Sequence, residues 1–277
     1  MKSALNALTQ EIAGKRLSRP MGRVSGIHGG VIEISGLAGE ARIGDRLILK
    51  RQDGDELPGE VMQIHFESVS MLPDVAPDRV AMNDPVILHP TPDFAPDDNW
   101  IGRVIDPFGQ PIDGRPLLRG AESRDIVAAP PSAGTRQGLG ERLATGLSVL
   151  NTILPIVQGQ RIGLFAGSGV GKSTLLAQLA QNMDADVVVM ALIGERGREV
   201  KHFVDSVLGP EGMKRAVVVA ATSDQSALVR RRCAQAAMAV AKHFRDQGKT
   251  VLFLADSVTR FAEAHREIAV ASGEAPA

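Results

Sequence analysis

At 277 residues, 44% of them hydrophobic, the chain is long enough for two domains with their own cores. A net charge of −1 excludes a global attraction to nucleic acid or to a membrane. The single cysteine, Cys233, excludes an internal disulfide and suits a reducing compartment. No apolar run approaches the ~20 residues that span a bilayer, and the start MKSALNALTQEIAGKR lacks the continuous apolar stretch of a secretory signal. The chain reads as soluble and cytoplasmic.

Residues 1–20 predict a short amphipathic helix, with Leu5, Leu8 and Ile12 on one face. Lys2, Lys15, Arg16 and Arg19 outweigh Glu11, and Pro20 ends the segment. A helix this short gains order by docking, because nucleation is costly; the alternative is a frayed terminus. From about 22 to 90 the hydrophobic period becomes two. VIEIS, part of ARIGDRLILK, EVMQIHF and DPVILHP are short apolar runs separated by Gly, Asp and Pro, which argues for a small β-barrel or sandwich. TPDFAPDDN at 91–99 reads as a linker, DPFGQPIDG at 106–114 as two turns, and PPSAGTRQGLG at 130–140 as a loop.

Beyond that loop, apolar strands alternate with helices. RIGLFAG (161–167), DVVVMALIG (186–194), AVVVAAT (216–222) and TVLFLADS (250–257) are the predicted strands, and 173–183 and 226–248 the predicted helices. Strands that are apolar throughout imply a parallel sheet covered on both faces. The expected class is therefore α/β, with an N-terminal β-barrel and a P-loop core, divided as 1–20, 21–92 and 93–277.

Ala166-Gly167-Ser168-Gly169-Val170-Gly171-Lys172-Ser173 carries the chemistry. Its GKS follows a predicted strand and opens a predicted helix, although the strict P-loop pattern has glycine in place of Ala166. The glycines allow the backbone to turn its N–H groups toward phosphate oxygens of ATP, and the helix N-terminus adds its positive end. Lys172 then serves the β- and γ-phosphates, and the Ser173 hydroxyl serves Mg²⁺. Asp256, at the end of TVLFLAD, stands at the expected second metal position. Glu195 directly follows a predicted strand, on the sheet edge that would hold the P-loop, with Arg196 and Arg198 beside it. Spacing alone leaves Glu195 open between water activation and a surface carboxylate.

The remaining polar residues read more plainly. His28, His65, His89, His202, His243 and His265 lack metal-type spacing. Cys233 lies among helical alanines and reads as packing. Arg230-Arg231-Arg232 reads as a solvated helix start or a ring contact in preference to a nucleic-acid patch.

LFAGSGVGKSTLL, LIGERGREVKHF and LFLADSVTRFAEAHREIA together resemble the export ATPases of flagella and type III secretion, relatives of the catalytic subunit of the rotary ATP synthases. The likeness runs from about residue 22 to the end. GREV followed by an aromatic is its most specific part, and Ala166 is usual in that family; Ser148 stands where an arginine is frequent. The resemblance implies Glu195 as the base that activates water, Arg196 and Arg260 near the γ-phosphate, Thr174 as a further hydroxyl near the phosphates, and Asp256 on Mg²⁺. It also implies a homohexamer, a dimeric stator-like regulator docked on residues 1–20, an export gate and cargo–chaperone complexes as partners. The implied location is peripheral, at the inner face of the bacterial cytoplasmic membrane.

Members of that family continue past the GEAPA end. Their arginine finger and adenine-packing aromatic lie in the later segment, so weak nucleotide binding and poor hydrolysis are expected of these 277 residues alone. Three competing readings follow. A hexameric nucleic-acid translocase would need a basic channel and stacking aromatics, against eight Phe, one Trp and no Tyr. A rotary synthase subunit is disfavoured by GREVKHF. The third is a chain that binds the regulator without turnover.

Overall fold

The computed structural model describes residues 18–89, 94–167 and 169–275. The predicted N-terminal helix therefore lies outside the described residues, apart from its last three positions. The chain divides into two compact units, Met1–Pro92 with Ala269–Ala277, and Asp93–Ile268.

In the first unit, six strands close into an antiparallel barrel: β1 Met21–His28, β2 Val31–Ser35, β3 Arg46–Lys50, β4 Glu56–Ile64, β5 Ser68–Pro73 and β6 Pro85–His89. Their order is β1-β2-β5-β4-β3-β6, and β1 pairs with β6 to complete the ring. The alternation seen in the sequence is the reason. Ile32 and Ile34 of β2 point inward, and Leu47, Leu49, Leu57, Val61, Val69, Met71 and Val86 fill the rest of the interior. Gly22 is required at its inward position, because a Cβ there would come within 2.8 Å of Leu37. Register breaks between Val24 and Gly26 and between Val61 and Gln63 bend two of the strands. Arg46 is buried and forms an ion pair with Asp74, its Nη1 3.1 Å from a carboxylate oxygen.

The second unit is built on a parallel sheet of β7 Arg103–Ile105, β10 Val187–Glu195, β11 Ala216–Thr222 and β12 Val251–Asp256, in the order β12-β10-β11-β7. A two-stranded ribbon, β8 Arg142–Leu143 and β9 Ile156–Val157, stands apart from it. The helices are α1 Ser148–Thr152, α2 Lys172–Asn182, α3 Gly197–His202, α4 Gly209–Met213, α5 Ala227–Asp246 and α6 Val258–Ala271, with a π-helical turn at Phe203–Leu208. The strands are apolar throughout because both faces are covered. Val187, Val189, Ala191 and Ile193 pack with Cys233, Ala237, Val240 and Phe244 of α5. Val188, Met190 and Leu192 pack with Leu176, Ala177 and Ala180 of α2 and with Phe203 and Leu208. Ser226 caps α5, its hydroxyl accepting from Val229 N, and Gly248 follows the helix end at φ +82°.

Three expectations are corrected. RIGLFAG forms no strand: Phe165 is 97% exposed and Ile162 50%. A strand is stabilised by ladder partners and by packing on its faces, and neither covers this segment among the described residues. Second, the 91–99 linker contributes core residues at its described start, 94–96. Phe94 is buried and meets Trp100 edge to face at 5.4 Å, and the Trp100 indole N–H donates to Leu118 O at 2.8 Å. Apolar residues within this Pro- and Asp-rich run anchor it to the core. Third, the Arg230–Arg232 run is not a solvated helix start. Arg232 is buried, donates to Pro107 O at 3.1 Å and lies over the Phe108 ring, while Arg230 pairs with Glu267 at 2.7 Å. Neighbouring side chains on a helix diverge by about 100°, so a run in sequence is not a patch in space. Residues 103–105 also supply a sheet-edge strand that their short apolar pattern did not announce. Arg103 is anchored there by two 2.7 Å bonds to Asp113, which hold that carboxyl well below the usual carboxylate range.

Candidate nucleotide site

The site lies where parallel strands end. In β10, Gly194 adopts φ +67° and the register with β11 slips between Ile193 and Glu195, which places Glu195 at the strand's last position. In β12, Asp256 is the last residue and pairs across from Leu192. Both carboxylates therefore reach the same edge of the sheet, the edge at which open α/β folds bind ligands.

Gly169 and Gly171 have φ +76° and +92°, conformations that side chains disfavour, and Gly171 is the N-cap residue directly before α2. A Cβ at Gly167, Gly169 or Gly171 would meet nothing within 4 Å, so no neighbouring atom crowds the loop at these positions. The first N–H groups of α2 have no partner within the helix. Lys172 Nζ lies 2.6 Å from Asp256 Oδ1, and the Asp256 carboxylate is buried. Val170, Ser173 and Thr174 are exposed around the helix start, and Ser168 lies outside the described residues.

Glu195 faces Arg260 of α6, with 3.5 Å between guanidinium and carboxylate. Burial pushes the Glu195 carboxyl above its ordinary range. A hydrogen bond to Glu199 and the nearby charges of Asp256 and Glu199 push the same way, and Arg260 pulls against them. Glu199 moves down, because it accepts from Glu195 and sits beside Arg196 and Arg198. Arg196 itself is 3.2 Å from Glu199 and exposed. Among the predicted residues, the structure thus brings together Lys172 with Asp256 and Glu195 with Arg260. It turns Arg196 toward Glu199. Sequence reading missed Glu199 and Gly194; Glu195 ends a strand and Glu199 lies on the helix after it, so no helical spacing linked them.

The donor set suits a magnesium nucleotide. Two left-handed glycines lead into the start of α2, where the Lys172 ammonium meets the buried Asp256 carboxylate and the exposed Ser173 hydroxyl follows in sequence. Among the described residues no cluster of three or more His, Cys, Asp or Glu forms. A divalent ion would draw on Ser173, Asp256 and phosphate oxygens together, as Mg²⁺ does.

Sheet, glycine loop and helix start define a P-loop nucleotide-binding domain. The family model for the ATP synthase alpha/beta family, nucleotide-binding domain, matches residues 146–277. The flagellum-specific ATP synthases of Caulobacter vibrioides and Bacillus subtilis are 44% and 42% identical to this chain, each over 92% of it and 58% of their own length. The type 3 secretion system ATPase of Pseudomonas syringae pv. syringae is 40% identical, over 99% of this chain and 63% of its own. The assembled ATPase EscN, solved with its central stalk EscO from the type III secretion system of enteropathogenic E. coli, superposes with a TM-score of 0.82 at 36% identity, over 91% of this chain and 62% of that one. Residues 146–277 thus match the nucleotide-binding domain of the ATP synthase alpha/beta family, and over most of its length the chain is similar to flagellar and type III secretion ATPases. It spans 58% to 63% of the length of these curated relatives.

Proposed function

We propose that the protein hydrolyses Mg-ATP to drive protein export through a flagellar or type III secretion apparatus, promoting chaperone release and cargo unfolding. One observation carries the reading: the Lys172–Asp256 and Glu195–Arg260 pairs converge on one sheet edge beside the glycine loop. In this reading the loop from Gly167 to Gly171 and the α2 N-terminus receive the phosphates. Lys172 neutralises the terminal ones, and Thr174 adds a hydroxyl. Ser173 and Asp256 hold Mg²⁺, which supplies charge neutralisation at the phosphate oxygens when bound. Glu195 takes the proton of the attacking water, for which its raised pKa makes it a stronger base than an ordinary carboxylate. Arg260 and Arg196 stabilise charge at the γ-phosphate.

The assembly reading extends the same family. The protein would form a homohexamer, dock a dimeric stator-like regulator through residues 1–20, and meet the export gate and cargo–chaperone complexes at the inner face of the cytoplasmic membrane. EscN's solved assembly with a stalk supports an oligomer with a partner. Among the described residues no helix is long and apolar enough to cross a membrane, which accords with peripheral association. The splayed Arg230 and Arg232 leave no basic stripe at the start of α5, against a nucleic-acid translocase.

The test is Mg-ATPase activity of the natural full-length protein, with Lys172→Ala and Glu195→Gln beside it. Loss of turnover in both variants is expected. Full activity in Glu195→Gln removes Glu195 from the chemistry, and an inactive wild type overturns the ATPase reading.

A further inference from the structure

Gly194 is pressed between two arginine stems. A Cβ built on it would lie 3.2 Å from Cδ of Arg260 and 3.3 Å from Cδ of Arg230. Arg260 comes from α6 and Arg230 from the first turn of α5. Two guanidinium groups leaving one wall repel unless each has its own anion. Here each does: Arg260 has Glu195 at 3.5 Å, and Arg230 has Glu267 at 2.7 Å. The Arg230 side chain is only 15% exposed, and its buried Nε has no hydrogen-bond partner among the described residues, so Glu267 and packing hold it. Glu267 lies seven residues after Arg260 on α6. That spacing returns to the same helix face two turns on.

We propose that Arg230, clamped by Glu267, is a positioning residue that sets Arg260, and through it Glu195, for the reaction; this rests on the ATPase reading above. Arg230 touches α6 by two routes. Its head grips Glu267, which fixes the rotation of the helix. Its stem walls one side of the Gly194 notch, whose other side is the Arg260 stem. A shortened side chain at 230 frees both contacts, and the Arg260 guanidinium loses its fixed approach to Glu195. A loss at Glu267 leaves the Arg230 charge in place but unpaired, free to compete with Arg260 for Glu195. The pair is not one of the groups assigned to phosphate, metal or water, so its effect falls on the rate and not on nucleotide binding.

The experiment measures kcat and KM for Mg-ATP, and Kd for a fluorescent ATP analogue, in the full-length protein. Its variants are Arg230→Ala, Arg230→Lys, Glu267→Gln, Arg260→Ala and the Arg230→Ala/Arg260→Ala double. Loss of positioning is expected to lower kcat by about 10- to 100-fold in Arg230→Ala, with KM and Kd little changed. Arg230→Lys recovers part of the rate, since one donor to Glu267 suffices. The double variant is no slower than Arg260→Ala under single-turnover conditions. Should Arg230→Ala fail to fold, the isosteric Glu267→Gln carries the same comparison. Wild-type kcat in both Arg230→Ala and Glu267→Gln, or a double variant that shows the full product of the two single losses, overturns the proposal. If Lys172→Ala and Glu195→Gln are also fully active, the ATPase site itself is wrong, which is a distinct result.

Discussion

Lys172 reaches across from the start of α2 to Asp256 at the end of β12, 2.6 Å between ammonium nitrogen and carboxylate oxygen. The carboxylate is buried, so this cation is what compensates its charge within the chain. Bound phosphate would share Lys172 with Asp256. Lys172→Ala removes the partner of a buried anion and is expected to destabilise the protein by about 1–3 kcal/mol. It also loses phosphate affinity. Thermal melting with and without Mg-ATP separates the two effects. The wild type gains Tm on adding nucleotide by mass action, whereas the variant starts lower and gains little. An equal gain in both would show that Lys172 does not serve the nucleotide.

The acid limb of the rate profile follows from Glu195. Only the ionised carboxylate accepts a proton, and burial, Glu199 and Asp256 raise the pH at which it ionises. As pH falls, activity should therefore fade above the range of an ordinary glutamate. Glu199→Gln removes a like charge and a hydrogen-bond acceptor, both of which push Glu195 up, so the limb moves to lower pH. Arg260→Ala removes the one downward pull, so residual activity fades at higher pH. Measured kcat against pH for the three proteins checks both signs, and a limb that stays fixed in both variants shows that Glu195 does not set it.

Gly194→Ala should be costly for two separate reasons. The position holds φ +67°, which costs a side-chain-bearing residue about 1–3 kcal/mol. Its new methyl group would also press on the Arg230 and Arg260 stems. Loss of activity larger than the loss of Tm would explain is expected, read by ATPase rate beside thermal melting. Wild-type turnover in a fully folded Gly194→Ala would mean that the notch has room to spare.

Cys233 is chemically silent while the protein is folded. Its thiol is fully buried, donates to Val219 O at 3.3 Å, and is pushed up to about 12 by burial. Thiol reagents act on the thiolate, so at pH 8 native protein should resist labelling while denatured protein takes up one equivalent. Rapid labelling of native protein would show that α5 opens from the sheet.

The barrel and the β10, β11 and β12 strands were legible because their signals are local. Alternation in VIEIS and unbroken apolar runs in DVVVMALIG and AVVVAAT report how many faces of a strand are covered. Gly248 marked the end of α5 by its own backbone freedom, at φ +82°. RIGLFAG carried the same apolar signal without becoming a strand, because a periodic pattern describes what a segment can bury and not whether a partner is there to bury it. Phe94 and Trp100 were hidden by the opposite error: two aromatics in a polar run give no period, yet each fills a large share of a core.

By itself, then, the sequence determined the small barrel, the parallel sheet with its helices, the glycine loop before α2, and the placing of Lys172, Glu195 and Asp256 at element ends. These depend on hydrophobic period and on single residues with narrow backbone preferences. Only the tertiary structure decided that Lys172 meets Asp256, that Arg260 and not Arg196 faces Glu195, and that Arg230 lies beside them on Glu267. Those pairings join residues 84, 65 and 37 positions apart in the chain. They arise where strands β10 and β12 end on one edge and α5 and α6 pack beside it, a coincidence in space that no local pattern encodes.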